Sequence, residues 1–202
     1  MLLLHRKDLA MQKYALVVFQ CLLLFLCCDD KTNLTSPDQK STGTLFFSTI
    51  DPNRIWKIDD NGKNLTEICE GVEFDISPDG QYLVLAGQGD AGIDIFKIDI
   101  DGSDKMNLTS ELEFSSTYPK WSPIGEKIAF QAGPSGSMND TWIMNPDGSS
   151  KLKLTAGDSF LIHYSPEWSC DGSMLSFIKG IGNKNNGEWT WEDELWMISL
   201  TC

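Results

Sequence analysis

Few residues in this 202-residue chain combine the type and spacing that chemistry requires. Gly87, Gly89 and Gly92 match the G-x-G-x-x-G spacing that lets backbone approach a pyrophosphate, but that fingerprint needs a helix N-terminus directly downstream. Ile93-Asp94-Ile95-Phe96 follows instead, a run of β-formers, so the glycines read as a hairpin loop. Asp99, Asp101 and Asp104 are spaced like the opening of a calcium loop. Gly102 directly follows the second Asp, however, and no Glu stands at the distal bidentate position, so the segment reads as a turn. Gly133-Pro134-Ser135-Gly136-Ser137 has the wrong order for a strand-to-helix nucleophile. With two histidines in the chain, His5 and His163, most His-based triads and metal centres are excluded. His163 has no Cys nearby and reads as structural or surface. Asp and Glu are plentiful but concentrate in turns, so no carboxylate pair is singled out for glycoside chemistry. No catalytic residue, metal ligand or cofactor site is assigned, and the chain is read as a non-enzyme.

Two aromatics stand apart as recognition candidates. Trp189 and Trp191 lie in the stretch Gly180 to Glu194, which interrupts an otherwise regular pattern and surrounds them with acidic residues. Their i, i+2 spacing puts both on one face of a short β-ribbon, where they would offer aromatic area to a protein or a sugar. The structural alternative is that they fold back onto the preceding strands.

The elements around them repeat. Ile55-Trp56-Lys57-Ile58-Asp59-Asp60-Asn61-Gly62 aligns without gaps on the stretch from Ile95 to Gly102 and on the stretch from Thr141 to Gly148, and Leu195-Trp196-Met197-Ile198 begins a fourth copy. Leu-Thr follows three copies, at Leu65-Thr66, Leu108-Thr109 and Leu154-Thr155. Ser77-Pro78-Asp79-Gly80 has relatives at Ser122 and Ser169 and a degenerate first member at Ser36, so units start near 36, 77, 122 and 169 with a period of about 44. The Trp142 to Trp196 spacing, 54 residues against 40 and 46 earlier, marks the insertion. Asp-Gly and Asn-Gly supply the positive φ of tight hairpins, and the second unit predicts strands over 74–77, 82–86, 93–100 and 105–109. The sequence therefore predicts an all-β β-propeller of about four four-stranded blades, incomplete or open. The column Trp56, Phe96, Trp142 and Trp196 is assigned to packing between blades.

Formal charge is −13, from 16 basic and 29 acidic residues, which repels phosphate backbones and excludes nucleic acid as a partner. Ala15 to Cys28 is a 14-residue apolar run, preceded by Arg6, Lys7 and Lys13 and followed by Asp29 and Asp30. That is a signal-peptide layout, shorter than the ~20 residues a spanning helix needs. The cysteines closing it resemble the processing site of bacterial lipoproteins, which implies a signal over 1–27 and lipidation of Cys28, with Cys27 as the alternative. Residues 28–35 are then a linker or a closing strand, and 36–202 the repeats. Cys69, Cys170 and Cys202 show no spacing that identifies a disulfide.

At the Ser-Pro-Asp-Gly and Asn-x-Asp-Gly positions the chain resembles the TolB-like, or WD-like, propeller repeats over roughly residues 36 to 200. The resemblance implies a propeller that binds partners and no single activity. TolB-like propellers commonly have six blades; this chain accommodates four. The fourth unit ends after its third strand, which leaves three readings: residues 32–36 close the ring, another subunit completes an open array, or the chain is a remnant of a longer propeller. The functional expectation is a lipid-anchored, periplasmic or surface-exposed envelope protein that binds other envelope proteins. Self-association to complete the ring and polysaccharide binding or degradation are the alternatives.

Overall fold

The computed structural model describes residues 43–90, 92–134, 139–156, 161–185 and 188–200, with backbone alone at 161–162, 184–185, 188–189 and 191. Cys27, Cys28 and the segment 28–35 lie outside the described residues, as does the Ser36 start of the first unit.

Among the described residues fourteen strands form four antiparallel sheets, and there is no helix. The first sheet holds β1 (Thr44–Ile50), β2 (Asn53–Asp59) and β3 (Thr66–Glu70). The second holds β4 (Phe74–Ile76), β5 (Tyr82–Gln88), β6 (Ile93–Asp99) and β7 (Met106–Asn107). The third holds β8 (Ser116–Trp121), β9 (Ile128–Ala132), β10 (Asp140–Met144) and β11 (Leu152–Lys153). The fourth holds β12 (Leu161–Trp168), β13 (Met174–Asn185) and β14 (Glu188–Ser199). Each sheet runs in sequence order, as tight turns between β-forming runs dictate. The second unit's strands fall within about two residues of their predicted bounds at most ends, the outermost strand being shorter than predicted.

The repeated motifs are turn chemistry. Ser77 Oγ donates to Asp79 Oδ1 at 2.6 Å, and the amides of Gln81 and Tyr82 donate to Asp79 Oδ1 and Ser77 Oγ. Ser169 and Asp171 build the same turn, with the amides of Ser173 and Met174 as donors. Ser122 keeps its half, accepting from the Lys127 amide at 3.0 Å, while Ile124 replaces the aspartate. These turns sit inside the sheets, joining each innermost strand to the next. The Asp-Gly turns instead dock outward: a Cβ on Gly102 would stand 2.9 Å from the Ile68 carbonyl oxygen of the first sheet, and one on Gly148 3.1 Å from that of Leu108 in the second. Positive φ, 97° and 81°, adds to the demand for glycine.

Alternation along the strands sends one set of side chains to each neighbouring sheet. Ile55 of the first sheet meets Leu83, Leu85, Phe96 and Ile98 of the second. Val84, Ala86 and Ile95 of the second meet Trp121, Ile128, Phe130 and Met144 of the third. Ala129 and Ile143 of the third meet Trp168 and Leu175 of the fourth. The sheets are thus a stack with three internal cores, and the stack is not closed among the described residues. Leu195 is 71% exposed, although Ile55 and Ile95 at the same repeat position are completely buried.

The aromatic column divides accordingly. Phe96 is buried, and Trp142 packs on Phe114 and Phe130 with ring centroids 6.3 and 6.2 Å away. Trp56 is half-buried. Trp196 departs from the expected packing role at 46% exposure, with Lys179 Nζ 4.3 Å above its ring. β7 and β11 cover the outer edges beside Phe96 and Trp142, whereas no described strand pairs outside β14.

Candidate functional site

The insertion that carries Trp189 and Trp191 is a continuation of the β13–β14 hairpin. β12 pairs with β13 as far as Ile181, opposite Leu161. The next four pairs, Gly182↔Trp191 to Asn185↔Glu188, have no third strand beside them among the described residues. The hairpin therefore runs past the described part of β12, with Trp191 at register with Gly182 and Trp189 with Lys184. Trp189 and Trp191 share strand parity with Asp193, Leu195 and Met197, the parity opposite to Trp196. At the ribbon's base Tyr164 hydrogen-bonds to Asp193; burial first, then that carboxylate, pushes the Tyr164 pKa up. Glu188, Glu192, Asp193 and Glu194 make β14 acidic.

A second polar feature, absent from the sequence reading, runs along the innermost strands. β8 and β12 each carry a β-bulge, at Tyr118-Pro119 and Ser165-Pro166, and Tyr118 and Ser165 both adopt positive φ, 53° and 54°. A bulge re-aims the residues that follow it. The Tyr118 amide donates to Glu73 Oε2 at 2.9 Å and the Trp121 amide to Asp75 Oδ2 at 2.8 Å, stitching the second sheet to the third. Lys120 Nζ pairs with Glu167 Oε1 at 3.0 Å, and Trp168 Nε1 donates to the Lys120 carbonyl at 3.1 Å, stitching the third to the fourth. Burial raises the pKa of Glu73 and Asp75, with the amide bonds and Lys120 opposing it. Burial, then Glu73, pushes the Tyr118 hydroxyl up to about 12. The legible signal was Tyr118-Pro119-Lys120-Trp121-Ser122 against Ser165-Pro166-Glu167-Trp168-Ser169, a Pro-x-Trp-Ser repeat just ahead of the Ser turns.

The Leu-Thr motif has a structural explanation of the same kind. Thr109 Oγ1 accepts from the Ile95 amide at 2.9 Å and lies 3.3 Å from Asp94, which also takes Asn107 Nδ2 at 2.8 Å. Thr155 Oγ1 likewise accepts from the Thr141 amide and donates to Asp140 at 2.9 Å. Lys153 Nζ lies 2.5 Å from Asp140, and His163 Nδ1 lies 3.4 Å from it. His163 is buried and packs edge-on against Phe177 at 5.4 Å, which places it in the junction between the third and fourth sheets. Burial lowers its pKa despite Asp140. The first sheet has Arg54 at the Asp94 position, paired with Glu67 and Glu70.

Gly87 to Gly92 closes the β5–β6 hairpin, with the Gly89 amide donating to the Gly92 carbonyl at 2.7 Å. Asp99 to Asp104 forms the β6–β7 turn, in which Asp101 Oδ1 accepts from the Ser103 amide and hydroxyl. Among the described residues no group of three or more His, Cys, Asp or Glu side chains gathers closely enough for a metal ion. A cleft of about 350 Å³ between the Ser77 and Ser122 turns is lined by Pro78, Asp79, Tyr82, Lys97, Trp121 and Ile124.

No protein-family model matches the chain. An uncharacterized protein of Agrobacterium fabrum is 33% identical over 116 residues, which are 57% of this chain and 37% of that protein. A solved structure assigned as TolB from Agrobacterium tumefaciens superposes with a TM-score of 0.61 at 21% identity, covering 78% of this chain and 57% of that one. TolB from Acinetobacter baumannii gives a TM-score of 0.55 at 13% identity, covering 74% of this chain and 40% of that one. The chain thus spans well under two thirds of the length of each. Four sequential antiparallel sheets, stacked face to face and matched by both structures, identify the fold of this chain as a TolB-like β-propeller, unclosed among its described residues.

Proposed function

We propose that the protein is a non-catalytic, protein-binding propeller module of the bacterial cell envelope, tethered to a membrane by lipid on Cys28. The observation that carries this reading is the β13–β14 hairpin, which extends four residue pairs past the described end of β12 and holds two tryptophans at alternate positions of an acidic strand. Tryptophans are enriched among the residues that carry most of the binding energy of protein interfaces. The TolB-like fold supports a binding role in general. The apolar run ending in Cys27 and Cys28 supports export and anchoring.

The binding test is a pull-down from envelope extract with the Trp189→Ala/Trp191→Ala variant, beside its melting curve. Each interface aromatic contributes ~2 kcal/mol or more, so losing both weakens a complex about a hundredfold or more while the melting temperature holds. A large drop in melting temperature would show the pair packed on the sheet and end the ribbon assignment. Loss of glycan retention instead of protein capture would move the site to polysaccharide. For the anchor, Cys28→Ser abolishes palmitate incorporation and releases the protein from membranes. Labelling lost in Cys27→Ser and kept in Cys28→Ser would move the anchor one residue.

A further inference from the structure

The outer edge of β14 runs further than the repeat covers. In the second and third sheets the outermost strand pairs opposite Phe96-Lys97 and Trp142-Ile143, and its Leu-Thr motif adds the bonds to Ile95 and Thr141 one step further. In the first sheet β3 reaches as far as Arg54. The corresponding positions on β14 run from Glu194 to Met197. An outermost strand built to the repeat, whatever part of a chain supplied it, would therefore stop at Glu194. The stretch from Glu188 to Asp193 continues beyond, with no strand outside it among the described residues. Its register with β13 is unbroken from Asn185↔Glu188 to Met174↔Ser199, so the direction of the backbone groups alternates regularly. Ile95 turns its amide and carbonyl outward, to Thr109 Oγ1 and the Leu108 amide. Leu195 is its equivalent, so on the extension the outward-facing amides and carbonyls are those of Trp189, Trp191 and Asp193.

A row of outward amides and carbonyls is a template for an added strand, and charge decides which strand. Glu192, Asp193 and Glu194 are all exposed. Asp193 and Glu194 accept from neutral donors, the Tyr164 hydroxyl and Trp196 Nε1 at 2.8 Å, which leave their charges uncompensated. Glu192 stands opposite the apolar Ile181, and Lys179, across from Glu194, has its Nζ over the Trp196 ring. A second copy of this edge would set like charges against one another, the device by which edges resist pairing with themselves. A strand bearing Lys or Arg is attracted instead, and the chain's charge of −13 steers it inward. Parity supplies the other half: positions 190, 192 and 194 share one face, and 189, 191 and 193 the other. Basic residues beside Glu192 and Glu194 thus leave alternate residues of the added strand beside the tryptophan positions. We propose that β14 from Trp189 to Asp193 captures an extended segment of a partner protein as an added antiparallel strand, one in which Lys or Arg alternates with apolar residues. The inference rests on the reading of the Trp189 and Trp191 hairpin as the binding site and adds the kind of partner it takes.

The probe is a labelled synthetic peptide of about eight residues alternating Lys and Val, titrated with the full chain in mild detergent and read by fluorescence anisotropy. It is expected to bind, and more weakly as salt rises. In an antiparallel pair the Val residues opposite positions 189, 191 and 193 turn their amides toward β14. Methylating every Val nitrogen should therefore weaken binding about tenfold or more, whereas methylating every Lys nitrogen, on the far edge, should not. Both peptides keep every charge. Glu192→Lys, an exposed change expected to leave circular dichroism unaltered, should also weaken the parent peptide about tenfold or more, and a peptide with Glu in place of Lys should not bind the original chain. No binding by the parent peptide, equal binding by the two methylated ones, binding by the Glu peptide, or an affinity untouched by Glu192→Lys would each overturn the proposal. If the two methylated peptides bind equally while Trp189→Ala/Trp191→Ala loses envelope capture, strand addition fails and the hairpin remains the binding site. Capture unchanged in that double variant would overturn both.

Discussion

Ile95 in the second sheet and Leu195 in the fourth stand at one position of the repeat, on the same strand and the same side, yet one is completely buried and the other 71% exposed. The difference lies in the neighbour: Ile95 faces Phe130 and Met144 of the third sheet, while no further described sheet faces Leu195. In a stacked array each unit's stability is its own plus that of its interfaces, so identical residues differ in worth between the middle and the ends. Polar residues show the same contrast. Thr109 and Thr155 clasp buried backbone amides in the two middle sheets, whereas Thr66, from the first sheet's copy of the Leu-Thr motif, falls opposite Lys57 rather than beside Ile55 and donates to the Asn64 carbonyl at the surface.

The largest effect is expected where two sheets meet. Phe130→Ala removes a fully buried ring from the junction of the second and third sheets and should cost ~3 to 5 kcal/mol in urea unfolding. Leu195→Ala, at a 71% exposed position, should stay within about 0.5 kcal/mol. Equal costs would break the contrast between middle and ends.

Thr109→Val comes next. It leaves the buried Ile95 amide without its acceptor, at about 1 to 3 kcal/mol, while Thr66→Val changes stability by less than about 0.5 kcal/mol. A small cost for both would mean that water replaces the clasp.

Acid should loosen the junction between the third and fourth sheets before the others. Burial holds His163 below its ordinary pKa of 6.5, so the folded protein binds this proton less readily than the unfolded chain. Stability is therefore fully present above about pH 6.5 and declines as pH falls toward the depressed folded value. In His163→Gln the loss between pH 7.5 and 5.5, read from urea midpoints, should shrink.

The smallest effect concerns the turns. Hydrogen bonds from Ser169, then Ser173, hold Asp171 at about 2, below the usual 3.8. Its contribution is present above the unfolded value and is lost as pH falls through the folded one. Asp171→Asn should flatten the melting curve between about pH 4 and 2 slightly, the group being fully exposed. The Ser122 turn, with Ile124 in the aspartate's place, has no such carboxylate to titrate.

Much of the architecture was legible because the period was. Ser-Pro-Asp-Gly and Asn-x-Asp-Gly are local devices, a Ser and Asp that satisfy turn amides and a Gly at positive φ, so their spacing marks the strands they join. The ribbon was legible as an interruption of that period with two tryptophans at alternating positions. The inner-strand track was less so, since Glu73, Tyr118 and Ser165 share a position but no chemistry, and the Pro-x-Trp-Ser repeat covers two units. The pairing of Asp94 with Thr109 across 15 residues rests on a hairpin register that Leu-Thr alone does not reveal.

By itself the sequence determined the strands, their turns and their sequential antiparallel order, because each hairpin joins runs that are consecutive in the chain through a short turn, helped by glycine's freedom at positive φ. Tertiary structure alone decided which residues of equal type are core. Ile55, Ile95 and Leu195 are near-identical to the chain's local code; burial came from whether another sheet lay within contact, a long-range property that one strand's sequence does not encode.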